Sequence, residues 1–250
     1  MTNSETAAEP IRLLGMRIDR VTMDQTLDRV ERFIAEGSPH HIVTADASMV
    51  VTYTEDAEFA RIVDAADLVT PDGAGILWAS RYRGTPVRNK VSGVDLAARC
   101  CALSGEKGWR LFFFGAAPGV AEEARARMLA RYPGANIVGF RDGFFKPAEE
   151  TAIVEEIRAA RPDILLVALG IPKQEKFISR HREALGVPVM IGVGGTLDVF
   201  SGTVRRAPVW MQNTGLEWLY RLASNPKKIS KVKLLPQFAL MTLRSPRTPS

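Results

Sequence analysis

Cysteine and histidine are scarce in this chain, and the motifs of the common hydrolases and nucleotidases are missing. Two cysteines occur in 250 residues. Cys100 and Cys101 are adjacent, with no second pair to complete a zinc or CxxC site, so they read as core or helix-face residues. Of the three histidines, His40 and His41 would point to opposite faces of a strand and cannot jointly grip one metal. His181 falls on a surface-like helix, so all three read as structural. There is no GxSxG elbow, P-loop or HExxH, and no Asp-x-Asp of the kind that holds a divalent metal on a sugar nucleotide. No apolar run approaches the roughly 18 to 20 residues of a spanning helix. Met1 to Pro10 lacks the charged start and apolar run of a secretory signal, so the chain is expected to be made and kept in the cytosol.

What is present is apolar content enough for a substantial core, 46% of residues, which excludes disordered and fibrous classes. Charge is unevenly placed. Residues 203–250 hold nine Lys/Arg against one acid, Glu217, whereas the other 202 residues hold 24 basic and 27 acidic groups. The basic character belongs to the C-terminal segment and implies an anionic partner there.

Strand-like and helix-like segments alternate along the body. Ile11 to Ile18 reads as a strand, and Thr22-Met23-Asp24-Gln25 has capping-box spacing ahead of a helix with Met23, Leu27, Val30 and Ile34 on one face. Strands are expected at His41 to Ala45, Asp67 to Thr70, Trp109 to Phe114, Asn136 to Phe140, Asp163 to Leu169 and Pro188 to Val193. Helices fall between them, including Ala47 to Ala65, with a break near Asp56, and a helix from about Gly73 to Arg81. This alternation predicts right-handed βαβ units: a Rossmann-like, mainly parallel sheet flanked by helices, with a basic helical appendage at the C-terminus. The expected organisation is a disordered N-terminus over 1–10, an α/β catalytic domain over 11–202, a basic appendage over 203–238 and a flexible tail over 239–250.

Several strand ends carry chemistry. Val69-Thr70-Pro71-Asp72-Gly73 is a buried strand feeding a Pro/Gly turn that opens a helix, and in open α/β sheets ligands sit beyond the carboxyl ends of the strands. Asp72 is therefore the first candidate for an acid/base, its competitor being an ordinary helix cap. Gly115, closing the strand Leu111 to Phe114, allows backbone to approach a phosphate, although the full GxGxxG spacing is missing. Gly192, Gly194 and Gly195 remove side chains where a ligand could press on backbone, and Asp198 follows as an acceptor for a ribose hydroxyl or base N–H. Gln174 lies in a first helical turn after Pro172, where spacing alone favours a solvated polar turn.

In this order, Thr44-Ala45-Asp46, Thr70-Pro71-Asp72-Gly73-Ala74-Gly75, Ser92-Gly93-Val94-Asp95-Leu96, Asp142-Gly143-Phe144-Phe145, Leu169 to Glu175, Gly192 to Gly195, Arg206-Ala207-Pro208 and Gly215 to Leu222 resemble the WecG/TagA/CpsF family of bacterial glycosyltransferases, from about residue 12 to residue 231. The resemblance implies a cytosolic-face enzyme moving a sugar from a UDP donor to a polyprenyl-diphosphate-linked sugar, with inversion and without a metal or other cofactor. It also implies a product for surface polysaccharide or teichoic acid, and Asp72 as the base. It implies sugar contacts for Thr44, Asp46 and Gln174, nucleoside contacts for Gly143, Phe144 and Asp198, and diphosphate or lipid contacts for Lys90, Arg206, Arg221, Lys228 and Lys231. Two positions depart from the family pattern: Asp46 stands where Asn is usual and Lys90 where Arg is usual, so an uncharged donor/acceptor becomes an anion and a bidentate fork becomes a point charge.

Lys227, Lys228, Lys231 and Lys233 interleave with Ile229, Val232, Leu234 and Leu235 in a short basic amphipathic run that Pro236 interrupts, suited to peripheral contact with an anionic membrane surface. A homo-oligomer is also open. Two other classes compete: a nucleotide-cofactor oxidoreductase on a Rossmann-like sheet, disfavoured by the incomplete glycine fingerprint, and a basic-tailed nucleic-acid-binding or scaffold protein, disfavoured because the tail lacks an aromatic platform and nucleic acid is not an expected partner.

Overall fold

A computed structural model describes residues 8–208, 211, 220 and 234–246. The chain opens with an antiparallel hairpin, β1 (Ala8–Leu13) and β2 (Met16–Arg20), turning at Leu14 and Gly15. The single strand expected over Ile11 to Ile18 is therefore two, and Ala8 to Pro10, expected to be disordered, already belong to β1. Apolar residues continue through the turn, so hydropathy alone carried no mark of the reversal. Asp19 of β2 accepts the Val69 N–H at 2.7 Å, which ties the hairpin to an edge of the main sheet.

The main sheet contains β3 (His40–Ala45), β4 (Leu68–Pro71), β5 (Leu111–Gly115), β6 (Ile137–Arg141), β7 (Ile164–Ala168) and β8 (Val189–Gly192). Its order is β4-β3-β8-β7-β5-β6, and every pairing is parallel. Parallel strands need crossovers that cover both faces, which is why the central strands read as unbroken apolar runs. α1 (Met23–Glu36) leads from the hairpin into β3, the crossovers are α2 (Ala47–Glu55), α3 (Ala57–Asp64), α4 (Ala74–Tyr82), α5 (Gly93–Lys107), α6 (Val120–Arg131), α7 (Glu150–Ala159) and α8 (Lys173–Leu185), and α9 (Thr196–Phe200) follows β8. The Thr22–Gln25 capping box is present, and Asp56 both ends α2 and caps α3.

Alternation along the strands divides the core in two layers. Ile42, Leu68, Phe113, Leu166 and Ile191 face α1, α5, α6 and α9. On the opposite face Val43 and Val69 meet the hairpin, α2 and α4, while Phe114, Val167 and Met190 meet α7 and α8. Cys100 and Cys101 lie buried in the first layer, as read from the sequence, and burial pushes the Cys100 thiol up to about 12. His40 stacks on Phe33 at 4.0 Å between ring centroids, whereas His41 faces the other layer, beside Asp67.

α10 (Leu234–Arg244) replaces the flexible tail expected from residue 239, at least through Arg244. Pro236 falls in its first turn, where a missing N–H costs no helical bond. Phe238 and Thr242, one turn apart, are buried against the domain, and the Phe238 ring meets Trp78 of α4 edge-on at 6.4 Å.

Candidate active site

The parallel sheet brings the carboxyl ends of all six strands to one edge, and nearly all the candidate residues lie there. Asp72 follows β4. Its backbone N–H donates to the Ala45 carbonyl at 2.8 Å, fixing the turn to the end of β3. Asp72 lies at the junction of β4 and α4 as expected, but the competing reading of it as a helix cap does not hold: the cap of α4 is Gly73, with no side-chain bond, and Asp72 Oδ2 accepts the Gly93 N–H, 3.0 Å away, at the start of α5. The carboxylate thus faces the positive end of α5, half exposed.

Thr44 lies against the same helix start. A Cβ on Gly93 would approach Thr44 Oγ1 to 3.0 Å, and that hydroxyl donates to the Gly192 carbonyl at 2.8 Å. Gln174 is buried at 1% exposure and Glu175 at 0%, which overturns the solvated first turn that spacing favoured. The loop after β8 descends on this turn of α8, and the Gly194 N–H donates to Gln174 Oε1 at 3.0 Å. Asp72, Gly93, Thr44, Gly192 and Gln174 form one contiguous cluster across β4, β3, β8 and the start of α8. Asp46 stands beside it as the cap of α2, its Oδ1 accepting from Met49 N at 2.9 Å and from Ser48 Oγ at 2.6 Å.

The nucleoside candidates form a second group. Gly115 has φ +123°, and a Cβ there would lie 2.5 Å from the Ala168 backbone, so close approach of β5 to β7 already demands glycine. Gly143 N donates to the Ala116 carbonyl at 2.9 Å, joining the turns after β5 and β6. Phe144 follows, 71% exposed, with its N–H held by Asp142 Oδ1 at 2.9 Å: a flat apolar ring on a fixed turn. Gly195 caps α9, and Asp198 stands half-exposed in it. The Gly194 N–H is engaged by Gln174, so that glycine serves the cluster rather than offering its own donor to a phosphate.

Arg206 reaches α5 from the far end of the domain, its guanidinium forking onto Asp95 at 2.5 and 2.8 Å. Ser92 caps the helix and its Oγ donates to Asp95 Oδ2 at 2.5 Å. Burial would push the Asp95 carboxyl up, but the bonds from Arg206 and Ser92, with the charges of Arg206 and Lys90, outweigh it and hold the carboxyl below the usual range. Lys90 and Arg206 therefore share one helix mouth with Asp72. Arg221, Lys228 and Lys231 lie outside the described residues. The sequence reading missed Asp95 and Glu175; Ser92-x-x-Asp95 carried capping-box spacing that could have flagged the first.

Among the described residues no group of three or more His, Cys, Asp or Glu side chains comes together as a metal-holding set, and no helix is long and apolar enough to cross a membrane. Two open depressions along β6, lined by residues such as Phe112, Arg125, Phe140 and Glu156, lie apart from the cluster.

The sequence model of the Glycosyl transferase WecG/TagA/CpsF family matches residues 11–250, further than the motifs alone reach. The chain is 35% identical over 206 residues to a Bacillus spizizenii protein named N-acetylglucosaminyldiphosphoundecaprenol N-acetyl-beta-D-mannosaminyltransferase, covering 82% of this chain and 79% of that one. A Bacillus subtilis protein of the same name is 33% identical over 203 residues, 81% and 78% of the two chains. A Staphylococcus aureus (strain MW2) protein, again so named, is 30% identical over 237 residues, 94% and 92%. With a strand-end cluster built from the motifs that carried the resemblance and a match across nearly the whole chain, this protein belongs to the WecG/TagA/CpsF family of glycosyl transferases.

Proposed function

We propose that the protein transfers a hexose from a UDP-sugar to a polyprenyl-diphosphate-linked sugar for a cell-surface polymer, by inversion in a single displacement that uses no metal. The names of the relatives support an acceptor of this type and favour an N-acetylmannosamine donor. In this step the acceptor hydroxyl oxygen bonds to the anomeric carbon, the bond from that carbon to the diphosphate breaks, and UDP leaves with the electron pair. The hydroxyl proton passes to Asp72. The observation that carries the reading is Asp72 itself, held half-exposed by Gly93 at the mouth of α5, in one cluster with Thr44 and Gln174.

That position suits a base whose proton arrives late: the helix end favours the ionised carboxylate and weakens its pull. The same positive end, with Lys90 and Arg206, suits the charge that grows on the departing diphosphate. Exposed Phe144 offers a ring for the uracil to stack on. Thr44, Asp46 and Gln174 would face the sugars. The Asn-to-Asp departure at 46 costs the α2 cap nothing, since the two residues cap equally well, so its consequence falls on hydroxyl selection.

The reading includes peripheral docking on the inner membrane face. Trp78 of α4 (42% exposed), with Leu240 and Leu243 of α10 (47% and 52%), are three of the five exposed large apolar side chains among the described residues, and α4 begins two residues after the proposed base. Exposed Arg81 and Arg244 flank them, matching an anionic surface.

The direct test offers a panel of UDP-hexoses and a short-chain polyprenyl-diphosphate-sugar, read by product mass, to the protein and to Asp72→Asn. General-base assistance is worth about 10²- to 10⁴-fold, so the variant should lose that much kcat while still binding UDP. Near-normal turnover at saturating substrates would remove Asp72 from the chemistry.

A further inference from the structure

Glu175 is fully buried, and a carboxylate there is costly unless held and useful to something nearby. Its Oε1 accepts from Gln174 Nε2 at 2.6 Å, and Gln174 Oε1 accepts the Gly194 N–H at 3.0 Å. The direction of this chain is unambiguous. A backbone N–H can only donate, so the amide oxygen must face Gly194 and the amide nitrogen must face Glu175. Gly192 closes the arrangement: a Cβ there would lie 2.6 Å from Gln174 Nε2 and 2.8 Å from Glu175 Oε1. The Gly192 carbonyl in turn takes the Thr44 hydroxyl.

We infer that Glu175 is a positioning residue: by accepting one amide proton of Gln174 it reinforces the orientation that the Gly194 N–H requires, and so holds the Gly194–Gly195 turn in register with the Thr44 side of the site. A carboxylate is suited to this because it only accepts, whereas a glutamine at 175 could present its NH₂ to the Gln174 NH₂ and leave the Gly194 N–H alone to hold that amide. The consequence for turnover rests on the proposed reading of Gln174 as a sugar-contacting side chain. The consequence for the Gly194 turn does not.

The experiment therefore has two readouts. In Glu175→Gln without ligands, amide hydrogen exchange at Gly194 should be at least tenfold faster than in the unaltered protein, with helix amides elsewhere unchanged. In steady-state kinetics the donor KM should rise about tenfold, with a smaller change in kcat. Both effects should be several-fold smaller when the substitution is made in a Gln174→Ala background, because the part that acts through Gln174 has nothing to act on once that amide is gone. Unchanged Gly194 exchange, or effects that simply add in the double variant, overturns the inference. If Glu175→Gln does not fold, Glu175→Asp gives the same comparison, since it keeps the charge but withdraws the oxygens by one methylene. Faster Gly194 exchange in a protein that turns over no UDP-sugar would sink the transfer reading and leave the positioning role standing. Unchanged exchange in an active enzyme does the reverse.

Discussion

The two ends of the parallel sheet use the same residue types to opposite purpose. At the amino ends of the strands, Asp67 accepts from His41 N at 2.8 Å and pairs with Arg182 at 3.1 Å. Asp163 there accepts from Arg110 N at 2.8 Å, and Arg182 also reaches the Pro39 carbonyl. Those carboxylates join strand to strand. At the carboxyl ends, Asp72, Asp46 and Glu175 are held by helix N-termini, a neighbouring amide and glycine turns, with Thr44 and Gln174 among them. The first-turn N–H groups of the helices that follow the strands point outward at that edge. An aspartate joins strand to strand at one edge and meets helix N-termini at the other, and the proposed chemistry rests on that difference.

Four measurements test that contrast, beginning with the largest expected effect. Asp72→Asn should cost turnover the equivalent of about 3 to 5 kcal/mol, yet leave Tm nearly unchanged, because an Asn oxygen still accepts from Gly93; a large loss of stability would place Asp72 with the structural aspartates. The second is acid sensitivity at the opposite edge. Burial, then the Arg182 charge, lower His41 from 6.5 to about 4 against a smaller opposing effect of Asp67. The unfolded chain therefore binds this proton between those values while the folded one does not. Stability should fall by on the order of 3 kcal/mol as pH drops from 6.5 towards 4 and level off below, and denaturant unfolding of His41→Gln should lack that component. Third, Asp67→Ala leaves the His41 N–H without its side-chain acceptor and Arg182 without its carboxylate partner and should cost about 1 to 3 kcal/mol in unfolding free energy, with no change in the KM of either substrate. The smallest effect is Asp46→Asn: stability within a few tenths of a kcal/mol, because the α2 cap survives, and an altered ranking of donor hexoses as its only signature.

Much of the frame was legible in advance. The six parallel strands, the Thr22–Gln25 cap and the break at Asp56 follow from short-range pattern, because each is decided by residues within a turn of one another. The turn at Leu14 and Gly15 was hidden because Leu14 is apolar yet adopts φ +51°. α10 was hidden because Pro236 reads as a breaker unless it is known to fall in a first turn. Within the candidate site, the segments that meet were readable but their wiring was not. The competing reading of Asp72 as the cap of its own helix gives way to a bond from α5, twenty-one residues on. Gln174 read as solvated because nothing in its local pattern records a glycine loop from β8 lying over it.

The sequence by itself determined the class of fold and the strand-end segments that meet at one edge of the sheet, since periodicity, caps and glycine turns act over a few residues. Which carboxylate meets which N–H was decided only by tertiary structure, because the strand order β4-β3-β8-β7 puts segments more than a hundred residues apart within hydrogen-bonding reach, as Thr44 and Gly192 show.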